Sequence, residues 1–361
     1  MLFVSCKNQE GAAEVFQWSQ LPQLPDRVGF AGSFAGVSNN HLIVAGGAQF
    51  PEGTRPWSGG VKTWHDQIWI FENETKGWKQ AGKLPQAMGY GVSLSWRDGI
   101  ILIGGADQQR HYADVYFLSY EADSLQIERM PSLPQPLANA CGAIVGGVVY
   151  IAGGLSAPGA TSTESAFLSL DLEAPASAQQ WKLLPGWPGP PRMLSVAGAA
   201  NGTFYLFSGA QLSVPPGDSV ARRQYLNDAF AYAPETGWQQ LKSLPHAVVA
   251  APSPAYTDER GRLLVFGGDD GKYAGQNEKL KDKHPGFSKD ILAYDPLQAD
   301  WSVAGAVYTD TQPDPENQPN ASTWAPVTTP LVLWKNHIVL PSGEVRPGVR
   351  TNRILIATPQ K

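Results

Sequence analysis

The sequence predicts an all-β chain folded as a six-bladed β-propeller. An apolar run ending in two small residues recurs six times, and a tryptophan strand follows most of the runs. The two chain ends also hold complementary parts of one repeat. The runs are Leu42–Gly47, Ile101–Gly105, Val149–Gly154, Tyr205–Gly209, Leu263–Gly268 and Ile338–Gly343. Their last glycines stand 58, 49, 55, 59 and 75 residues apart, steps that fit one four-stranded blade each, near the kelch period.

The composition agrees. Glycine (38) and proline (30) make up a large share of the 361 residues, and only 16% are charged. That suits a chain of many tight turns and little exposed helix, while 42% hydrophobic residues are ample for a core and exclude general disorder. The net charge of −5 comes without a basic run, which argues against nucleic-acid binding. No stretch approaches the ~18 apolar residues of a membrane-spanning helix. The two cysteines are too few for a disulfide framework.

Within each repeat, a strand with an aromatic or acidic start follows the small pair, as in Asp66–Phe71, Ala113–Leu118 and Asn227–Tyr232. Next comes the tryptophan strand, marked by Trp78, Trp181, Trp238 and Trp301; Ile127–Met130 stands in where the second repeat lacks one. Leu84-Pro85, Leu133-Pro134 and Leu244-Pro245 lead onward to the next blade. After Ser342-Gly343 only one further strand remains, Arg353–Ala357, and the missing fourth lies at the other end, Val15–Trp18. One blade is therefore built from both ends, which closes the ring and hides its edges. The expected division is a tail over 1–14 and a single propeller over 15–361.

The tail itself, Met1-Leu-Phe-Val-Ser-Cys6, resembles the end of a bacterial lipoprotein signal, though without a basic start or a longer apolar stretch. Two readings stand: a lipid anchor at Cys6, placing the protein in the bacterial periplasm or cell envelope, or an ordinary terminal cysteine.

Up-and-down blades sort the loops by face. The turns at 38–40, 97–99, 201–202 and 335–336 are short and share one face. The connections at 48–65, 210–225 and 269–288 are long and share the other, where function is expected. That face collects Arg55, Arg192, Arg222, Arg223, Arg346 and Arg350, with Tyr90 and His284 nearby. Arginines gathered in an acidic protein suggest a mouth that holds a carboxylate by paired hydrogen bonds; the plainer reading is solvated loop charge. The densest constellation is Ser342–Thr351. Glu344 directly follows the small pair of an inner strand and is expected to face the central funnel, where partial burial suits a carboxylate that takes and returns a proton. Arg350 begins the next strand, within reach of Glu344 or of a substrate anion. A structural Glu–Arg pair tying the loop is the alternative.

The segment Gly343-Glu-Val-Arg-Pro-Gly-Val-Arg-Thr351 resembles the Gly-Glu-x-[Lys/Arg]-Pro-Gly-x-Arg-Thr motif of the N-acetylneuraminate epimerases, sialic acid mutarotases built on a kelch propeller. Gly32–Val37, Gly89–Leu94 and Pro188–Arg192 are similar to further stretches of that family, in an order that suggests cyclic permutation. The resemblance implies interconversion of the α and β anomers of N-acetylneuraminate by ring opening and reclosure, with no metal or organic cofactor. It makes Glu344 the proton-transfer residue and Arg350, Arg192, Tyr90 and, more loosely, Arg55 the substrate-binding residues. An acidic sugar is then the expected small-molecule partner, N-acetylneuraminate or a relative. The rival class is a non-enzymatic kelch module that binds proteins through exposed loop aromatics such as Trp57 and Trp64. A sialidase would carry Ser-x-Asp-x-Gly-x-Thr-Trp boxes, which are absent from the sequence. A copper radical oxidase needs a reactive cysteine, whereas Cys141 sits among small apolar residues and is expected to pack as one.

Overall fold

A computed structural model of the protein describes residues 16–308 and 325–360; Cys6 and the tail lie outside the described residues. Among the described residues are six four-stranded antiparallel sheets, each one blade. In the first blade, strands Phe34–Ser38, His41–Ala45, Gln67–Phe71 and Trp78–Lys83 run from the axis outward. The recurring apolar run is thus the second strand of its blade. It reads as a nearly continuous hydrophobic stretch because both of its faces are covered by neighbouring blades. Ile43 packs toward the second blade, while Leu42 and Val44 pack toward the sixth.

Six hydrophobic clusters fill the six blade-to-blade interfaces. Phe34, Phe167, Phe207 and Phe266 are buried completely, each contributing about 1.5–3 kcal/mol by leaving water. The tryptophans join the blades at their outer edge. Indole N–H groups of Trp78, Trp181 and Trp238 donate to the carbonyls of Pro22, Pro131 and Pro185, each in the chain leaving the preceding blade. Trp301 makes the corresponding bond to Lys242. A large apolar body with one polar tip suits that position.

The sixth blade closes the ring as the sequence suggests. Its outer strand, Phe16–Leu21, pairs with Ile354–Pro359 over six residues, from Phe16 opposite Pro359 to Leu21 opposite Ile354. The long connections are partly regular. Thr203–Ser213 and Arg222–Ala233 of the fourth blade continue past a bulge at Phe207/Gly209 as a paired ribbon, so half of the expected 210–225 loop is β-structure.

A closed belt of hydrogen bonds encircles the axis just before the innermost strands. The amide of Tyr90 donates to the carbonyl of Gly32, Asn139 to Tyr90, Leu194 to Asn139, Ala250 to Leu194, Thr328 to Ala250, and Gly32 back to Thr328, all at 2.7–2.8 Å. All six residues have left-handed backbones, φ between 51° and 65°. Next to each, the preceding residue bridges the residue that follows a small pair: Ala31 to Ala48, Gly89 to Ala106, Ala138 to Leu155, Met193 to Ala210, Val249 to Asp269 and Val327 to Glu344. The belt therefore forms the floor of the funnel on the long-loop face and fixes six equivalent positions around it.

Candidate active site

Ser342 and Gly343 turn the chain with φ of 65° and 112°, which lifts it out of the sixth blade at the funnel wall. Ser342 has a glycine in the same place in other blades, and its hydroxyl explains the change. The oxygen accepts the Phe30 amide at 2.7 Å and lies within donating distance of the Thr351 and Phe30 carbonyls. Ser208, the other such serine, likewise accepts the Val248 amide and donates to Leu226.

Beyond the turn, Glu344–Arg346 pairs with Val349–Arg350 as a small hairpin. Its bend needs Gly348 (φ 77°), where a Cβ would stand 2.8 Å from the Pro56 ring. The Gly348 amide donates to Glu344 Oε1 at 2.6 Å, and Arg350 Nη1 lies 3.4 Å from the same oxygen. Glu344 Oε2 has no hydrogen-bond partner among the described residues, and the side chain retains 18% exposure. One carboxylate oxygen is thus held while the other is left open at the funnel wall.

Arg350 is 2% exposed. It stacks on Phe50, with its guanidinium carbon 4.8 Å from the ring centroid, and its Nε and Nη2 lie 3.4 Å from the Ala48 carbonyl and the Tyr90 hydroxyl. Burial works against its charge, but the Glu344 carboxylate and Tyr90 outweigh this and raise its pKa. Tyr90 belongs to the belt; its ring meets Trp64 edge-on and carries Lys62 Nζ 5.0 Å from its centroid. Glu344, Arg350, Tyr90, Lys62 and Trp64 line a funnel of about 530 Å³, well within the ~300–1,000 Å³ of small-molecule sites.

The structure does not bring all the expected residues to this funnel. Arg192 is fully buried and turned into the fourth blade. It holds Asp228 through two bonds of 2.7 and 2.8 Å, donates to the Ser208 and Pro190 carbonyls, and lies against Trp187 and Phe230. The substrate-contacting place expected for Arg192 is corrected by this geometry: its donors are engaged inside the scaffold. Arg55, next to the lining residue Pro56, pairs with Asp282 at 3.3 Å and donates to the Thr54 carbonyl, so the structure places it at the rim rather than among the funnel-lining residues. Arg346 is buried and donates to the Asp282 carbonyl, so the first, fifth and sixth blades are clasped over the hairpin. Arg222 pairs with Asp218 in the open, and His284 is buried with its Nδ1 accepting the Gly286 amide. Cys141 packs as expected, its thiol pushed up to about 12 by burial. Trp57 is half-buried and Trp64 faces the funnel, so neither offers the exposed loop aromatic of an interaction module.

Sequence reading missed Lys62, His111, Tyr225 and Asp269, all of which line the funnel. Asp269 had a legible signal, since it follows Gly267-Gly268 as Glu344 follows Ser342-Gly343. Among the described residues no group of three or more His, Cys, Asp or Glu side chains is placed to hold a metal ion.

Fold and site together define a six-bladed kelch-type propeller whose central funnel is lined by a largely buried glutamate–arginine hairpin. The N-acetylneuraminate epimerase family model matches residues 5–127 and 130–361, and the chain belongs to that family. Among curated relatives, the N-acetylneuraminate epimerase of Haemophilus influenzae (strain PittEE) is 35% identical over 130 residues, 32% of this chain and 34% of the relative. That of Pasteurella multocida (strain Pm70) is 32% identical over 128 residues, 31% and 34% of the two chains. That of Yersinia pestis (strain Pestoides F) is 39% identical over 106 residues, 25% and 26%. The matched segments span about a third or less of each relative's length. The solved structure of YjhT superposes with a TM-score of 0.62 at 17% identity, over 95% of this chain and all of that one, a likeness of fold.

Proposed function

We propose that the protein is a sugar-acid mutarotase that interconverts the α and β anomers of N-acetylneuraminate. The observation that carries this reading is the Glu344 carboxylate, held by the Gly348 amide and Arg350 at one oxygen and open to the funnel at the other, in a chain of this family. Anomer exchange needs a proton taken from the anomeric hydroxyl and a proton delivered to the ring oxygen. Glu344 takes the first as the bond from the anomeric carbon to the ring oxygen breaks, and returns it to the ring oxygen. Rotation of the open keto form and the reverse transfers give the other anomer. Arg350 stands 3.4 Å from Glu344 as a fixed positive charge and, with Lys62, makes this wall cationic, which suits the substrate carboxylate. Tyr90 ties the two cations together, its hydroxyl oxygen 3.4 Å from each. A location in the bacterial periplasm or cell envelope is proposed with it, resting on Cys6.

NMR of freshly released α-N-acetylneuraminate tests the reading. The wild-type protein should speed appearance of the β anomer well above the buffer rate. Glu344→Gln should lower kcat by about 10²–10⁴-fold, the usual contribution of a positioned acid–base group. No acceleration by the wild type would sink the assignment for this sugar; a fully active Gln variant would remove Glu344 from the proton path.

A further inference from the structure

The funnel has a second polar wall, and its chemistry differs from the first. Of the six equivalent positions fixed by the belt, four hold Ala48, Ala106, Leu155 and Ala210; only two hold carboxylates, Glu344 and Asp269. Glu344 is partnered by the Arg350 guanidinium, whereas Asp269 is partnered by a phenol. The Tyr225 hydroxyl lies 2.7 Å from Asp269 Oδ2, and the Gly271 amide donates to Oδ1 at 3.0 Å. The Tyr225 hydroxyl donates its single proton to Asp269, so towards the funnel its oxygen can only accept, with the Arg223 guanidinium beside it as one donor and room for a second on its other lone pair. Burial first, and then Asp269, raise the pKa of Tyr225, so this proton stays in place over the working range.

His111 repeats the arrangement from the second blade. Its Nδ1 lies 3.0 Å from the Leu155 carbonyl, an acceptor, so Nδ1 carries the proton and Nε2 is left with a lone pair. Burial lowers its pKa and keeps the ring neutral near pH 7. Both groups line the funnel. Lys62 extends from the first blade and Tyr225 from the fourth, which stand opposite each other in a ring of six. Arg223, two residues before Tyr225 on the same strand, is exposed and also lines this wall.

We propose that Tyr225, oriented by Asp269, and His111 form a specificity subsite whose lone pairs accept hydrogen bonds from hydroxyls on the side chain of the sugar acid, at the end away from its carboxylate. This rests on the mutarotase reading and deepens it: the site selects a sugar acid with a hydroxylated tail over a shorter one. A site built to bond hydroxyls discriminates strongly against an analogue lacking them, because its polar groups are then left unpaired.

The test crosses protein and substrate truncations. N-acetylneuraminate is compared with an analogue whose side chain is shortened by periodate and borohydride, using wild type, Tyr225→Phe and His111→Phe, with anomer exchange followed by NMR. For the full substrate each variant should raise KM about ten-fold and leave kcat within about two-fold. For the shortened substrate the wild type should already show a raised KM, and neither variant should change it more than about two-fold. Variants that impair both substrates equally, or leave KM for the full substrate unchanged, would overturn the subsite. Loss of wild-type acceleration on the full substrate would instead overturn the mutarotase reading itself, so the two failures are distinct. Circular dichroism and melting temperature establish that each variant is folded; if His111→Phe is not, Tyr225→Phe alone decides.

Discussion

Arg192 and Arg350 are both nearly inaccessible to water, yet their surroundings assign them opposite tasks. Arg192 makes a two-pronged contact with Asp228 and gives its remaining donors to backbone carbonyls, so its hydrogen-bonding capacity is used within the scaffold. Arg350 has longer contacts of 3.4 Å to Glu344, Tyr90 and Ala48, and it lines the funnel. Removing one member of a buried pair leaves its partner's charge uncompensated, a loss of about 3 kcal/mol. Arg192→Met should therefore lower the thermal midpoint by several degrees, while KM and kcat, measured at a temperature where the variant is folded, stay near wild type. A rise in KM with the midpoint unchanged would return Arg192 to the substrate. The sequence alone could not separate the two arginines, because both follow a blade's glycine-rich turn and local spacing does not reveal which way a side chain rotates.

At the level of elements, the belt of left-handed residues links floor and wall. Its members are Gly32, Tyr90, Asn139, Leu194, Ala250 and Thr328, and only one is glycine; the backbone bonds hold the other five in a conformation that side chains disfavour. Gly32 is needed for a second reason: a Cβ there would lie 2.6 Å from Cγ of the Tyr90 ring. Gly32→Ala should displace that ring and loosen the Tyr90–Arg350–Lys62 cluster. We expect kcat/KM to fall about ten-fold or more with the fold intact, read by anomer exchange alongside far-UV circular dichroism; an unchanged rate would show that Tyr90 does not hold the cationic wall. The recurring strands and small pairs were plain in the sequence because their period repeats in the local pattern. Glu344 and Arg350 were legible because a hairpin joins them within six residues. The contact of Arg350 with Tyr90, 260 residues away, and the place of Lys62 beside that tyrosine were not legible, since only ring closure brings them together. The 210–225 connection misled for another reason: polar, proline-containing sequence reads as loop, and cross-strand pairing from Gly209 to Ser213 made it a ribbon.

For the whole molecule, the ring sets how stability responds to acid. His65, His111 and His284 each lie where loops of the funnel face pack down, and burial is the largest influence on each, lowering its pKa from 6.5. The unfolded chain takes up protons on these rings near pH 6.5, while the folded one resists until lower pH. Between those limits the unfolded state binds more protons, so stability rises with pH there. The contribution is complete above pH 6.5 and is lost as pH falls through the folded values. Ordinary carboxylates titrate near pH 4, so a decline between pH 6.5 and 5.5 carries the histidine signature. Urea unfolding followed by tryptophan fluorescence at pH 7.5, 6.5 and 5.5 should show a midpoint that changes little over the first step and falls over the second. His65→Gln removes one of the three groups; its Nε2 lies 2.9 Å from Gln49 and its ring meets Phe30 at a tilt, centroids 4.9 Å apart, beside the closure of the first and sixth blades. That variant should be less stable at pH 7.5 and show a shallower decline toward pH 5.5. An equal slope in variant and wild type would move the acid sensitivity from these histidines to the carboxylate pairs.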